Sequence, residues 1–410
     1  RSTFSLIRSL LIYELCAYPW IVSLASKVIS MAEHLPLLQL PVRFALRETA
    51  FRQFCGGETV EETLPLLIRM HRQNISGILD LSIEADVGQA TRNMREDAAA
   101  TARGESAAYW QTNRQGQTTR ANHAAPGTFF AVKCTALASD PEVFEHWSAA
   151  LRRVRREFDD YTGRTATATA TADEERSAAE VLEALARLER LCEASIAKED
   201  GETSVRLMID AEQSYLQPAI AYLARQVSRK YNRDNGAPPQ VYDTYQLYLR
   251  QGLQNLVEDM AMAERHGYHW AGKLVRGAYV SSERRYAQAR EQPNAIWPSK
   301  PDTDRSYDTG AALAIQRASE GAAHVVVATH NNRSVARAIQ LMEKLGQRDT
   351  DERPSLKQRI HFAQLLGMGE LIATRVMEHG YQSAKYMPYG PVQEVVPYLL
   401  RRAEENGALF

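Results

Sequence analysis

Cysteine is scarce in this chain: four occur in 410 residues, at Cys16, Cys55, Cys134 and Cys192, and none stands in a CxxC pair. That spacing excludes a disulfide framework or a thiolate metal site, and the four read as buried free thiols in a reducing compartment. His266 and His269 have no third ligand beside them, so no metal centre is expected. An excess of either charge is also missing. Forty-nine Lys and Arg face 50 Asp and Glu, a net charge of -1, without the basic surplus of a nucleic-acid binder. No GxGxxG follows a strand pattern, and GMG at Gly367 to Gly369 is too short to stand in for a Rossmann turn. No serine or cysteine triad is legible, since Cys134 has Lys133 beside it but no base.

Long apolar runs are lacking too. The most apolar stretch, Ser5 to Ser30, is divided by Glu14 and Pro19, and a charge and a helix breaker in mid-span are costly in lipid. It reads as an amphipathic element on a membrane surface or as a helix docked on the body of the protein, with the first preferred. The chain begins at Arg1 without methionine, so an upstream piece is expected, and this sequence does not show whether it holds a targeting peptide.

What is present is organised around Trp270 to Tyr279, WAGKLVRGAY. An apolar run of strand length ending in cations, Gly and Tyr suits a buried parallel strand whose C-terminal end meets an anion or a planar ligand. A core strand with snorkelling cations is the alternative reading. Similar runs occur at Ser76 to Glu84, Thr128 to Leu137, Val205 to Glu212, Gln240 to Gln246, His324 to Asn331, Ile360 to Met368 and Ala384 to Gly390. Helical patterns at Gln217 to Tyr231, Leu249 to His266, Gly310 to Glu320, Ser334 to Leu345 and Gly369 to His379 separate the later ones. Eight such alternations predict an α/β fold, a distorted (β/α)8 TIM-like barrel. Residues 1–75 form an N-terminal helical region before it, and 76–410 the barrel, with polar helical insertions at about 85–127 and 140–200. Thr165 to Ala172, TATATATA, reads as a surface excursion.

In such a barrel, chemistry lies at the C-terminal strand ends. Lys133, Asp210, Glu212, Gln246, Arg276, Tyr279, Thr329, His330, Asn331, Gln364 and Tyr386 all fall there. After the last strand a helix pattern carries Tyr398, Arg401, Arg402 and Glu405 at spacings of three and four, with Arg402 beside the shared face. Adjacent arginines can grip a carboxylate and remain charged at any accessible pH. An isolated RR pair is otherwise a solvated basic stripe.

LMIDAEQSYLQPAI, KLVRGAY, VATHN, FAQLLGMGE, KYMPYGP and YLLRRAEENG, in this order, resemble the proline dehydrogenase family, above all its eukaryotic mitochondrial, monofunctional type. The resemblance covers Leu207 to Gly407 strongly and QFCGGETVEE and FFAVKCTAL more weakly. It implies FAD in the barrel and oxidation of L-proline to 1-pyrroline-5-carboxylate, by hydride transfer to flavin N5. Electrons would pass to a quinone, with ubiquinone at the matrix side of the mitochondrial inner membrane as the acceptor. Residue by residue, it places Arg401, Arg402 and Lys133 on the substrate carboxylate, and Leu274, Ala278, Tyr279, Tyr386 and Tyr398 around the ring. Asp210 takes an orienting role. FAD would lie against Asp243 or Gln246, the run Lys273, Leu274, Val275, Arg276 and Gly277, then Thr329, His330 and Asn331, Gln364 and Glu405. Lys273 stands where many bacterial members carry arginine, which keeps the charge and loses the planar fork. Glu84 matches the gate partner of Arg401.

The nearest alternative is a trans-4-hydroxy-L-proline dehydrogenase. The hydroxyproline branch resembles this segment but carries serine where Tyr386 stands, and a tyrosine ring would crowd a ring hydroxyl. A flavin-free scaffold and a barrel acting on a phosphorylated sugar are the readings from other classes.

Overall fold

The computed structural model describes residues 3–16, 18–81, 128–138, 140–157, 172–196, 205–233, 237–346 and 355–407. Eight parallel strands close into a barrel in sequence order: β1 (Ile75–Leu81), β2 (Phe129–Val132), β3 (Arg206–Ile209), β4 (Val241–Gln246), β5 (Trp270–Val275), β6 (Ala323–Ala328), β7 (Ile360–Leu365) and β8 (Gln382–Tyr389). Closure is made by β1 on β8, in register from Ile75 opposite Ser383 to Leu81 opposite Tyr389.

The runs look continuously apolar because both faces of each strand are covered. Inward positions fill the barrel with Ile78, Phe129, Ala131, Met208, Tyr242, Ala271, Val326, Ala363 and Ala384. Outward positions such as Leu79, Phe130, Leu207, Val241, Leu274, Val327 and Phe362 pack against the surrounding helices. The period of two thus decides which strand residues can reach the barrel mouth.

The helices Gln217–Tyr231, Gly252–His266, Asn332–Gly346 and Glu370–Glu378 lie where their patterns place them. The helix before β6 differs, starting at Lys300, ten residues earlier than the apolar pattern suggests. Ser299 caps it by accepting from the Asp302 backbone N–H, so a polar first turn is helical without an apolar stripe. The expected insertion at 85–127 lies outside the described residues, as does TATATATA up to Thr171. The insertion at 140–200 appears as two helices, Glu142–Glu157 and Ala172–Ile196.

The N-terminal region is helical, with Thr3–Cys16, Pro19–His34, Pro36–Leu46 and Val60–His71. Ile12, Cys16, Phe51 and Phe54 dock it onto Met368, Val392, Val395, Tyr398 and Leu399. Tyr13 Oη and Gln53 Nε2 both donate to the Gly367 carbonyl, at the loop after β7. Gly367 has φ of 78°, and a Cβ there would stand 2.2 Å from the Gln53 carbonyl oxygen, so only glycine fits this approach. The opposite side of the region is apolar and exposed: Leu10 is 62% exposed, Trp20 65%, Leu37 93%, Leu40 75% and Phe44 68%. Among the described residues no single helix is long and apolar enough to cross a membrane.

Candidate active site

A cavity of about 660 Å³ opens at the C-terminal end of the barrel. Each strand contributes the inward residue at its end, which is why side chains distant in sequence converge. Asp80 follows Ile78 on β1, and Lys133 follows β2 at the next inward position after Ala131. Asp210, Gln246, Lys273, Val275, Thr329, His330, Asn331, Gln364 and Tyr386 complete the strand ends. Arg276, Gly277, Ala278 and Tyr279 line one side, and Tyr398 and Arg402 enter from the helix Val392–Gly407.

Buried charge is concentrated on the floor. Lys133 Nζ pairs with Asp80 Oδ1 at 2.8 Å. Lys273 Nζ pairs with Asp210 Oδ1, and Tyr386 Oη donates to Asp210 Oδ2 at 2.6 Å. The Lys273 ammonium also sits 5.0 Å from the centre of the Tyr386 ring. Two lysines and two aspartates balance, which allows ions to remain here against the desolvation cost. Burial, then the charges of Asp210 and Asp80, pushes the Tyr386 phenol well up, so it remains a hydrogen-bond donor. Lys133, expected as a free cation for a carboxylate, already has Asp80 as its partner.

Arg402 is buried, with its guanidinium carbon 5.2 Å from the Tyr398 ring centre. On the far side, Arg276 pairs with Asp304, donates to Ser334 Oγ at 2.8 Å and lies over the Tyr307 ring. Asn331 Oδ1 accepts from the backbone N–H groups of Arg333 and Ser334 at 2.9 and 3.2 Å. It thereby caps the helix Asn332–Gly346, whose first turn lines the cavity and favours an anion.

His330 Nε2 accepts from the Leu365 backbone N–H at 3.1 Å, which leaves the ring proton on Nδ1. Burial, then Lys385 and Arg402, lowers its pKa to about 4, so it is neutral at physiological pH. Gln364 is buried and both its amide atoms lack a partner. An unpaired donor and acceptor inside a cavity cost free energy unless a ligand engages them.

Two residues expected at the substrate or the flavin do not reach the cavity. Leu274 is fully buried between β5 and the helices, because it alternates with Lys273 and Val275 and so faces outward. Asp243 faces outward likewise, and burial plus the charge of Asp259 raises its pKa to about 8. Between Asp243 and Gln246, only Gln246 lines the cavity. Arg401 and Glu405 belong to the same helix as Arg402, but their side chains, and all of Glu84, lie outside the described residues. Asp80 and Asp304 were missed. The strand-end rule applied to β1 would have found Asp80, whereas Asp304 lies in the helical turns that the apolar pattern omitted.

A sequence model of the proline dehydrogenase family matches residues 65–409. The chain is 40% identical to human mitochondrial proline dehydrogenase 1 over 216 residues, covering 52% of this chain and 34% of the human protein. It is 27% identical to the Dictyostelium discoideum protein of that name, over 99% of this chain and 69% of the relative. Rat hydroxyproline dehydrogenase is 28% identical over 100% of this chain and 88% of its own length. Among solved structures, proline utilization A from Bdellovibrio bacteriovorus superposes with a TM-score of 0.66 at 20% identity, over 92% of this chain and 34% of that one. That likeness is one of fold, a barrel with the same course. The span matched by the family includes all eight strands but the first residues before them, with the mouth and the closing helix that carries Arg402, and on that extent the chain belongs to the proline dehydrogenase family.

Proposed function

We propose that this chain oxidises L-proline to 1-pyrroline-5-carboxylate with a bound FAD, and passes the electrons to a quinone. The observation that carries the reading is the buried, unpaired amide of Gln364 inside a cavity that also holds Arg402 and Lys273. A flavin presents an edge of alternating carbonyl and N–H groups, to which such an amide is complementary. When bound, the flavin supplies the electron acceptor for the hydride leaving the ring carbon next to nitrogen.

The chain's residues do the rest. Arg402 holds the substrate carboxylate, and Tyr398 backs the guanidinium. Ala278, Tyr279 and Tyr398 form the apolar slot that keeps the ring C–H in near-contact, the geometry on which hydride transfer depends. Asp210 holds Lys273 and the Tyr386 hydroxyl in place, so that a positive charge faces the group that becomes anionic on reduction. Arg276 and the capped helix at Asn331 hold the phosphates. The Tyr386 ring closes the slot at its far end, which favours proline over the hydroxylated ring named for the rat relative. Turnover of L-proline with a short-chain ubiquinone analogue, with trapped 1-pyrroline-5-carboxylate as product and FAD released on denaturation, is the expected result. Protein that releases no flavin contradicts it.

The relatives' names include mitochondrial enzymes, and we place this chain likewise in the mitochondrion, on the matrix side of the inner membrane. The exposed apolar side of the N-terminal helices supports peripheral contact with that membrane, its Trp20 and Tyr18 suiting the headgroup level. Liposome flotation tests this: the protein floats, and Leu10→Ser with Leu37→Ser and Phe44→Ser floats much less. Equal flotation removes the membrane contact.

A further inference from the structure

Glu212 stands at a strand end with the other polar residues, yet it does not line the cavity. Its carboxylate is taken up by Thr135, which donates from its backbone N–H at 3.2 Å and from Oγ1 at 2.6 Å. Its backbone carbonyl accepts from Gln246 Nε2 at 2.7 Å. Gln246 Oε1 in turn accepts from the Tyr248 hydroxyl at 2.7 Å, and that hydroxyl accepts from the Tyr279 backbone N–H at 3.4 Å. One chain of hydrogen bonds therefore runs around the mouth, from the loop after β2 through those after β3 and β4 to the loop after β5.

Tyr248 is the link on which two cavity residues depend. It is 1% exposed, packed with Leu249 and Ile296, and its backbone carbonyl accepts from Trp297 N–H at 3.0 Å, so the ring has a fixed place. With one Nε2 hydrogen taken by the Glu212 carbonyl and one Oε1 lone pair by the Tyr248 hydroxyl, the orientation of the Gln246 amide is fixed, and one donor and one acceptor position remain. Farther along, Glu283 accepts from Ser214 N–H and Oγ at 2.5 and 2.6 Å. This anchors the helix Val280–Ala289 from its own first turn. Between that anchor and β5, the backbone of Tyr279 is held at its N–H by the Tyr248 hydroxyl.

We infer that Tyr248 is a positioning residue: its hydroxyl sets which face of the Gln246 amide the ligand meets and fixes Tyr279 against the substrate ring. The inference rests on the reading of the cavity as a flavin and amino-acid site. Tyr248→Phe keeps the ring and its packing and removes one oxygen, leaving Gln246 Oε1 without its donor and the Tyr279 N–H without its acceptor. Loss of one neutral hydrogen bond corresponds to a roughly tenfold effect. Hydrogen–deuterium exchange at the Tyr279 amide is expected to quicken about tenfold, and KM for L-proline to rise by about the same factor while kcat stays within about twofold. Unchanged exchange and KM overturn the inference, and so does faster exchange with unchanged KM, which would make the clasp structural only. If the wild-type protein holds no flavin, the proposed function falls, whereas an unchanged Tyr279 exchange rate would overturn the clasp itself.

Discussion

Arg402→Met is expected to raise the KM for L-proline by about 10- to 150-fold, since a hydrogen bond to a charged group contributes roughly 1.5 to 3 kcal/mol. Methionine retains most of the side-chain volume against the Tyr398 ring, over which the guanidinium now lies, so the effect isolates the charge. Because the carboxylate is held in the ground state and through the reaction alike, kcat should change far less than KM. Steady-state kinetics with saturating acceptor measures both. Lys133, another cation expected at the carboxylate, is engaged with Asp80 at 2.8 Å and cannot replace a lost guanidinium without breaking that pair. An unchanged KM would locate the carboxylate elsewhere in the cavity.

The second large effect concerns stability. Asp210→Asn leaves the Lys273 ammonium buried without a counter-charge, and weakens the acceptor of the Tyr386 hydroxyl. Breaking a buried pair by removing one partner costs about 3 to 5 kcal/mol, because the remaining ion keeps its desolvation penalty. Urea denaturation followed by circular dichroism should show the loss as a shift in midpoint at constant slope. The double variant Asp210→Asn, Lys273→Met should regain much of it, since no ion is then stranded, and the coupling energy separates this cause from simple loss of packing. A single variant as stable as the parent would mean that Lys273 is solvated and that the floor of the cavity is wetter than its burial implies.

The barrel was legible because buried parallel strands leave a strong trace, short apolar runs at regular intervals ending in polar residues, and all eight were placed within a few residues. Period-two alternation is just as legible, since it separates Leu274 from Lys273 and Val275, and Asp243 from Gln246, without any structure. Asp80 was hidden by a strand placed three residues too far along, to Glu84, when β1 ends at Leu81. Apolar periodicity could not reveal the helix start at Lys300, where a serine cap and a proline in the first turn replace an apolar stripe. The pairing of Lys133 with Asp80 and of Lys273 with Asp210 was beyond sequence reasoning, since it depends on the closure and register of the barrel, which bring together the ends of adjacent strands in one case and of β3 and β5 across β4 in the other. Motif resemblance supplied the roles of Arg402, Gln364 and Tyr398. Geometry alone shows that these side chains share one cavity.

The account is tested most directly by the visible spectrum of the purified protein under anaerobic conditions, before and after L-proline and then, on a fresh sample, trans-4-hydroxy-L-proline. It predicts an oxidised flavin spectrum that bleaches with proline and much more slowly with hydroxyproline, whose added hydroxyl would meet the Tyr386 ring. A folded protein without flavin absorbance, or a flavin that proline leaves oxidised, would contradict it.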